Sequence, residues 1–282
     1  MTDSYILTTQ SSDRIGIVAA LTTALADHAG FINELAQFGT PGSERFYSRI
    51  DFTMSQEDLS RFRPALNDIA KRLSLTVNII PKTAKVKTLI MVSKFDHCLA
   101  DLLYRRSNGS LNIDVTAIVS NHMEAKPHAD AAGLPFHHIP VNKNNKPEAE
   151  DALRSIIDQT QTELIVLARY MQILSESVCR DFSARIINIH HSFLPSFKGA
   201  KPYHRAYALG VKLIGATAHY VTADLDEGPI IEQDVARVDH TMTPQELIKI
   251  GRDIEARVLA RAVEHHVDHR AFINDNKTVI LP

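Results

Sequence analysis

The sequence of 282 residues has only two cysteines and no tryptophan, and it has no long apolar run. Cys98 and Cys179 are far apart and lack the spacing of metal ligands, which argues against a disulfide framework and indicates a reducing compartment. A membrane-spanning helix needs about 18 apolar residues in succession, and no window of the sequence approaches this. The N-terminal segment MTDSYILTTQSSDR lacks the basic and apolar regions of a signal peptide. We therefore expect a cytoplasmic protein with no membrane partner.

The sequence also lacks an excess of either charge. Lysine and arginine number 31, aspartate and glutamate number 33, and the formal net charge is -2. Such a chain has no bulk field that attracts nucleic acid or an anionic membrane, so we expect small molecules or other subunits as partners. The length and the 44% of hydrophobic residues are enough for about two domains, each with its own core.

The first domain is predicted at residues 1–81. The predicted order of its elements is strand 5–10, helix 15–28, strand 31–38, strand 45–54, helix 56–73 and strand 75–80. This βαββαβ order is typical of ferredoxin-like, or split βαβ, domains. Asp13 is predicted to cap the first helix, and Gly30 is predicted to end it.

The segment around the first predicted helix adds a family resemblance. The residues SSDRIGIVAALTTALADHAGFI resemble the beginning of an ACT domain, in which DRxGIV starts the first helix and the next turn tends to hold a small ligand. The resemblance implies a regulatory domain with an amino-acid effector such as glycine or methionine. It also implies a homo-oligomer, because ACT domains often pair. Gly16 fits tight packing of a helix on a strand equally well.

A short basic segment, PKTAKVK, is predicted to link the first domain to a second domain at 88–282. In the second domain, apolar strands alternate with helices, which is typical of a doubly wound, mostly parallel sheet. The capping box TPQE predicts the start of a long helix that ends near Val267, and RAFINDNKTVIL predicts a small C-terminal hairpin.

A polar pair is predicted at the end of a buried strand in the second domain. Ile187 and Ile189 predict a strand with apolar residues on one face, so alternation places Asn188 and His190 side by side on the other face. The next segment, SFLPSFKGAKP, has two prolines and a glycine and cannot continue the strand. It predicts a loop at the carboxyl end of a sheet, where open α/β folds bind their ligands.

A carboxylate and a second histidine are predicted near this pair. Asp226 precedes a glycine and a proline that predict a turn, so its carboxylate is expected to project from a loop beside the sheet. Thr217 and His219 alternate on one face of the preceding strand and are expected to line the same cavity. By strand alternation, His191 is expected to point away from His190, which makes a metal pair unexpected. An amide, an imidazole and a carboxylate suit acyl chemistry without a metal or a covalent nucleophile.

Four motifs carry a specific resemblance over much of the second domain. The motifs NIH, LPSFKGA, GATAHYV and LDEGPIIEQ resemble the signature of the formyltransferase fold, whose members use formyltetrahydrofolate. In that family the Asn and His of NxH and the Asp of DxG are catalytic, which implies catalytic roles for Asn188, His190 and Asp226. The resemblance implies that folate is the substrate, and neither a cofactor nor a metal is expected.

The segment LARYMQILS resembles the part of this family that lines the pterin pocket. The resemblance implies substrate-binding roles for four of its residues: Tyr170, Met171, Ile173 and Leu174. Without the resemblance, a methionine and two aliphatic residues at this spacing are ordinary core residues.

The fold supplies only the site for the formyl donor, so the acceptor must be inferred from other residues. Family members that act on glycinamide ribonucleotide have a turn GSGTN after their first strand, and its backbone amides hold the acceptor phosphate. This chain has SKFDHCLADLL there, without a glycine, and Asp96 would repel a phosphate. This segment, RRSNGSLNIDVTAIVSNH, NIHHSFLPSFKGAKPY and NKTVIL all resemble the deformylases of the family.

The resemblance thus implies hydrolysis of 10-formyltetrahydrofolate to tetrahydrofolate and formate. Its implied role is to balance one-carbon pools and to supply formate for purine biosynthesis. Asn188 and His190 are expected to stabilise the oxyanion, while Asp226, directly or through His219, positions and deprotonates the water. Two alternatives are a formyltransferase that acts on an unidentified amine and a noncatalytic folate-binding sensor.

Overall fold

The computed structural model describes residues 2–40, 44–194 and 202–282. The chain divides into two compact units. The first unit comprises Met1–Ala84, Asp268–Asn274 and Thr278–Pro282, and the second comprises Lys85–Val267 and Asp275–Lys277. No helix among the described residues is both long and apolar enough to cross a membrane.

The first unit is built on a four-stranded antiparallel sheet with the strand order β2-β3-β1-β4. Its elements are β1 (Thr2–Ser12), α1 (Ile17–Asp27), β2 (Phe31–Thr40), β3 (Arg45–Ser55), α2 (Gln56–Leu73) and β4 (Thr76–Pro81). The predicted βαββαβ order is confirmed. Alternate residues of β1 and β3 bury their side chains against the helices, and the rings of Tyr5, Phe52 and Phe62 lie at the centre of this core.

The start of α1 differs from the prediction. Gly16, rather than Asp13, is the N-cap residue, and no side chain caps the helix. Gly16 has a φ of 96°, a conformation that residues with a Cβ rarely adopt. At the other end, Ala29 takes the left-handed conformation with a φ of 56°. Gly30 instead packs closely on the end of α1, because an added Cβ would lie 3.0 Å from the Leu25 carbonyl oxygen.

The C-terminal hairpin corrects the predicted domain division. The sequence predicts it in the second domain, at 88–282, but most of β12 (Ala271–Asn274) and β13 (Lys277–Ile280) belongs to the first unit. The physical reason is apolar burial: Phe272 is 3% exposed and its ring centre lies 5.5 Å from that of Tyr47. Hydrophobic periodicity along the chain does not show which core a short hairpin joins.

The second unit contains a seven-stranded sheet with the order β11-β10-β9-β8-β5-β6-β7. The strands from β9 to β7 are parallel, while β10 and β11 are antiparallel, so the predicted mostly parallel sheet is confirmed. Its strands are β5 (Val86–Val92), β6 (Ile113–Ser120), β7 (Phe136–His138), β8 (Leu164–Leu167), β9 (Ile186–His190), β10 (Leu213–Tyr220) and β11 (Ile230–Arg237).

The helices of the second unit are α3 (His97–Ser107), α4 (Lys126–Ala131), α5 (Lys146–Thr160), α6 (Glu176–Asp181), α7 (Pro202–Leu209) and α8 (Pro244–Val267). The sequence predicts no element at α4, α7 or β11. The first two are short, with 6 and 8 residues, and short helices leave little periodic signal. The predicted loop SFLPSFKGAKP lies partly outside the described residues.

The strand order places a crevice beside the polar end of β9. The chain adds β6 and β7 on one side of β5 and β8 and β9 on the other side, so the winding direction reverses next to β5. Open α/β sheets bind ligands at such a reversal, beyond the carboxyl ends of the parallel strands. The segments that follow β5, β8 and β9 all begin there.

Candidate active site

A cavity with a volume of about 160 Å³ lies between the segment after β8, the end of β9 and the loop after β10. We call it the catalytic cavity. It brings together the predicted residues Asn188 and His190 of β9, His219 of β10 and Asp226 of the following loop. The strand alternation that predicted a shared face for Asn188 and His190 is confirmed.

The closest contact between these groups joins an imidazole and a carboxylate. His190 Nδ1 lies 3.2 Å from Asp226 Oδ1, and the two side chains are only 7% and 14% exposed. Burial raises the cost of a charge on Asp226, but the neighbouring imidazoles of His190 and His219 outweigh it and hold the pKa of Asp226 well below its usual range. Asp226 is therefore ionised at neutral pH.

The backbone fixes the tautomer of His219. His219 Nδ1 lies 2.9 Å from the carbonyl oxygen of Tyr220, which can only accept, so Nδ1 donates. In the neutral ring, Nε2 then carries a lone pair and accepts from Asn188 Nδ2 at 3.2 Å. This contact orients the Asn188 amide with its NH₂ group towards the imidazole. The second N–H of that group is a donor for another partner.

The far nitrogen of His190 has no hydrogen-bond partner among the described residues, although it is buried. Because the Asp226 carboxylate can only accept, His190 Nδ1 carries the proton and the neutral ring has its lone pair on Nε2. A buried nitrogen without a partner is costly and is typical of a functional site. His190 Nε2 is thus a proton acceptor that no described residue engages in a hydrogen bond.

A tight turn holds Asp226 in place. Asp226 has a φ of 58°, in the left-handed region that few residues other than glycine adopt. Gly228 packs directly against the end of β10, because an added Cβ would lie 1.8 Å from the Tyr220 carbonyl oxygen. The loop can approach His219 this closely only because residue 228 has no side chain.

The predicted substrate-binding residues separate into two groups. Tyr170, Met171, Ile173 and Leu174 all line the catalytic cavity. Met171 and Ile173 are 52% and 61% exposed, so they are not ordinary core residues. Burial raises the pKa of Tyr170 to about 12, so its hydroxyl stays neutral.

Thr217 has a different place from the one predicted for it. It is not among the described residues that line the cavity. Its hydroxyl donates to Ser192 O at 3.0 Å and accepts from Leu194 N and from Gln233 Nε2. Thr217 therefore anchors the segment that follows β9 to strand β10 through two hydrogen bonds to its backbone.

Two cavity residues were missed or misplaced by sequence reasoning. His191 was expected to point away from His190, but the two rings stack with centres 5.1 Å apart, and this expectation is wrong. Strand β9 ends at His190, so alternation does not extend to His191. Arg169, which precedes Tyr170 in the quoted segment, also lines the cavity and has a left-handed φ of 64°.

A cluster of metal-ligand residue types lies nearby but is occupied by other interactions. Among the described residues, His97, Cys98 and Glu255 come within 4.8 Å of one another. Glu255 already accepts from His97 Nε2 at 2.8 Å and faces Arg169 at 3.2 Å. Burial raises the pKa of Cys98 well above its usual value, which disfavours the thiolate that a metal needs. The donor set fits an ion-pair network better than a metal centre.

Comparison with known proteins identifies the family. The model of the formyl transferase family matches residues 86–263. A formyltetrahydrofolate deformylase from Corynebacterium sp. (strain P-1) is 47% identical over 279 residues, which cover 98% of each chain. The chain belongs to the formyltetrahydrofolate deformylase family. The deformylase of Bacillus subtilis (strain 168) is 43% identical, over 95% of this chain and 91% of its own.

Solved structures agree with this family assignment. The crystal structure of a formyltetrahydrofolate deformylase from Burkholderia mallei ATCC 23344 matches with a TM-score of 0.94 and 46% identity, over 99% of both chains. Glycinamide ribonucleotide transformylase 1 from Symbiobacterium toebii matches with a TM-score of 0.67 and 26% identity, over 72% of this chain and 97% of its own. The deformylase match, unlike the transformylase match, thus extends over nearly the whole chain.

The role of Gly228 gives the first prediction. Gly228→Ala should push the loop away from Tyr220 and displace Asp226 from His190, so turnover of formyltetrahydrofolate should fall about a hundredfold. Steady-state formate release measures this effect. Gly133→Ala is the control for backbone strain without a steric clash, because Gly133 has a left-handed φ and its added Cβ would meet nothing within 4 Å. An equal loss of turnover in both variants would contradict the proposed role of the turn.

The buried ring of His191 gives a second prediction. Burial and the charge of Arg169 lower the pKa of His191 from 6.5 to about 4. Between these pH values the unfolded chain binds a proton that the folded chain does not, so stability falls as the pH is lowered from 6.5 to 4. The loss from this group is about 3 kcal/mol. Urea unfolding across this pH range should show a smaller loss for His191→Gln than for the wild type; equal slopes would refute the assignment.

Proposed function

We propose that the protein hydrolyses 10-formyltetrahydrofolate to tetrahydrofolate and formate. The observation that carries the proposal is a catalytic cavity in which Asn188, His190 and Asp226 meet, in a chain 37–47% identical to formyltetrahydrofolate deformylases over nearly its full length. The proposed substrate is a linear amide, so the reaction needs a hydrogen-bond donor that stabilises the oxyanion and a group that carries a proton. The cavity provides both.

In the proposed reaction, the oxygen of a water molecule attacks the formyl carbon while His190 Nε2 takes one of the water protons. The carbonyl oxygen becomes an oxyanion, which accepts from the second N–H of Asn188. The bond from carbon to N10 then breaks, N10 receives the proton from His190, and the formic acid formed ionises to formate and a proton. Atoms and charges balance without a cofactor.

The low pKa of Asp226 favours His190 as the acceptor of the water proton. A carboxylate whose pKa lies well below its usual range is a weak base, because its ionised form is already stabilised. Asp226 instead supports the imidazolium form of His190 across the 3.2 Å contact. This differs from the expectation that Asp226 deprotonates the water.

The third prediction concerns two of the three proposed catalytic groups, Asn188 and Asp226. Asn188→Ala should reduce formate release about 10²–10³-fold, because it removes an oxyanion donor. Asp226→Asn tolerates the left-handed φ but removes the charge that supports His190, and it should cost about 10²–10⁴-fold. Single-turnover formate release measures both. Asp253→Asn, an exposed change on α8, is the control. Near wild-type turnover in either cavity variant would refute the assigned role.

The alternative function is formyl transfer to an amine, and the likeness to glycinamide ribonucleotide transformylases favours testing it. Hydrolysis predicts stoichiometric formate from 10-formyltetrahydrofolate with no acceptor present, at a rate that added amines do not raise. A transferase would release little formate until its acceptor is added, and the formyl group would then appear on the amine.

We further propose that the first unit is a regulatory ACT domain that responds to an amino acid such as glycine or methionine. Its strand order and its βαββαβ succession support this proposal. A homo-oligomer is part of the proposal, because β2 is an edge strand with Phe31 70% and Phe38 41% exposed. Titration of the amino acids during formate release tests the effector. Supply of formate for purine biosynthesis and a cytoplasmic location complete the proposed role.

A further inference from the structure

A second cavity adjoins the catalytic cavity, and its volume is about 280 Å³. The two cavities share Arg169, Met171 and His191 in their linings. We call the second one the arginine cavity, and the residues that matter below are Phe95, His97, Arg169, Tyr203, Arg252 and Glu255. The reaction proposed above uses none of the residues that are peculiar to it.

Arg169 is a buried cation with unused hydrogen-bonding capacity. Its side chain is 9% exposed, and Nε lies 3.2 Å from Glu255 Oε2. Nη1 is buried and has no hydrogen-bond partner among the described residues. A guanidinium group is always charged and presents its donors in a planar fork that matches a carboxylate. An unsatisfied buried donor of this kind indicates a ligand.

Glu255 is the carboxylate that faces this arginine, and its acceptors are largely occupied. It accepts from His97 Nε2 at 2.8 Å and from the Tyr203 hydroxyl at 2.5 Å. Burial opposes its ionisation, but these hydrogen bonds and Arg169 hold the pKa of Glu255 below its usual value. One negative charge therefore faces Arg169, and its oxygens are already shared among three partners.

A second guanidinium group leaves the cavity with an excess of positive charge. The Cζ atoms of Arg169 and Arg252 lie 5.7 Å and 5.2 Å from the centre of the same Phe95 ring. Two arginines and one glutamate give a net charge of about +1 if the histidines are neutral. A cavity whose lining carries more positive than negative charge favours the binding of a small anion.

The catalytic cavity creates an anion that has to leave. Asp226 is ionised and repels a carboxylate formed beside it. Among the described residues that line the catalytic cavity, Arg169 is the only arginine or lysine. Arg169 also lines the arginine cavity. Its positive charge therefore attracts a small anion from the catalytic cavity into the arginine cavity.

We propose that the arginine cavity binds the formate product, with the carboxylate oxygens of formate accepting hydrogen bonds from Arg169 and Arg252. This inference rests on the proposed hydrolysis, which supplies the formate. Formate has three heavy atoms and fits a cavity of about 280 Å³ together with water. The same donors suit other small oxyanions, so inorganic phosphate is the alternative ligand for this cavity.

The experiment measures formate binding to the full-length protein without folate. Broadening of the ¹³C-formate NMR signal is followed at constant ionic strength as the protein is titrated. Loss of a charge-assisted hydrogen bond should weaken binding about tenfold in Arg252→Gln. Arg257→Gln is the matched control, because Arg257 is an exposed arginine on the same helix that pairs with Asp234. It should keep the wild-type affinity.

Arg252 is a safer test position than Arg169, since removal of Arg169 would leave Glu255 buried without its cation. Thermal unfolding checks that both variants are folded. Equal formate affinity in the wild type and in Arg252→Gln overturns the inference. Phosphate that displaces formate and binds at least about tenfold more tightly also overturns the product assignment.

These outcomes are independent of the test of the proposed function. A wild-type protein that releases no formate from 10-formyltetrahydrofolate refutes the hydrolysis, whatever the titration shows. If the wild-type protein hydrolyses the substrate but Arg252→Gln binds formate as tightly as the wild type does, only the product site is refuted.

Discussion

The buried contact between Asp226 and His190 is the interaction on which the rest of the catalytic cavity depends. A carboxylate taken out of water is costly unless hydrogen-bond donors and nearby positive charge replace the water. His190 supplies a donor at 3.2 Å. The turn that brings Asp226 to this donor holds its backbone at a left-handed φ. Gly228 permits the close approach of the loop. The proton position on His190, and with it the lone pair on Nε2, follows from this one fixed acceptor.

Glu255 is a second buried carboxylate whose negative charge must be compensated, and its partners differ from those of Asp226. There the buried carboxylate is matched by a permanent cation, Arg169, and by two further hydrogen-bond donors, His97 and Tyr203. Among the described residues, the ion-pair partners of Asp226 are the imidazoles of His190 and His219. An imidazole can exchange protons near neutral pH, whereas a guanidinium cannot. Asp226 therefore supports proton transfer, whereas Glu255 holds the guanidinium group of Arg169 in place.

Local patterns predicted the parts of the site that lie within regular strands. Alternation along β9 correctly paired Asn188 with His190, because both lie inside a strand with buried neighbours. It failed at His191, one residue beyond the strand, where the following backbone decides the side-chain direction. Arg169 carried no pattern that could reveal its role, since its partner Glu255 lies 86 positions later on a helix. Contacts between distant elements leave no trace in local periodicity.

The end of β5 explains why water suits this cavity better than a large acceptor. Ser93 donates through Oγ to Asn121 at 2.7 Å, and the same oxygen accepts from Met171 N at 2.9 Å. These bonds tie the segment that lines the catalytic cavity to the turn after β5, where a phosphate-bearing acceptor would need free donors. Asp96 is the next charged group in this turn after Lys94, and it is paired with His128 at 2.8 Å. An acceptor amine must be held by protein groups to react, whereas water needs only the proton acceptor and a path to the carbon. Ser93 and Asp96 of this turn are thus engaged by other parts of the chain and are not free to hold an acceptor, which favours hydrolysis over transfer.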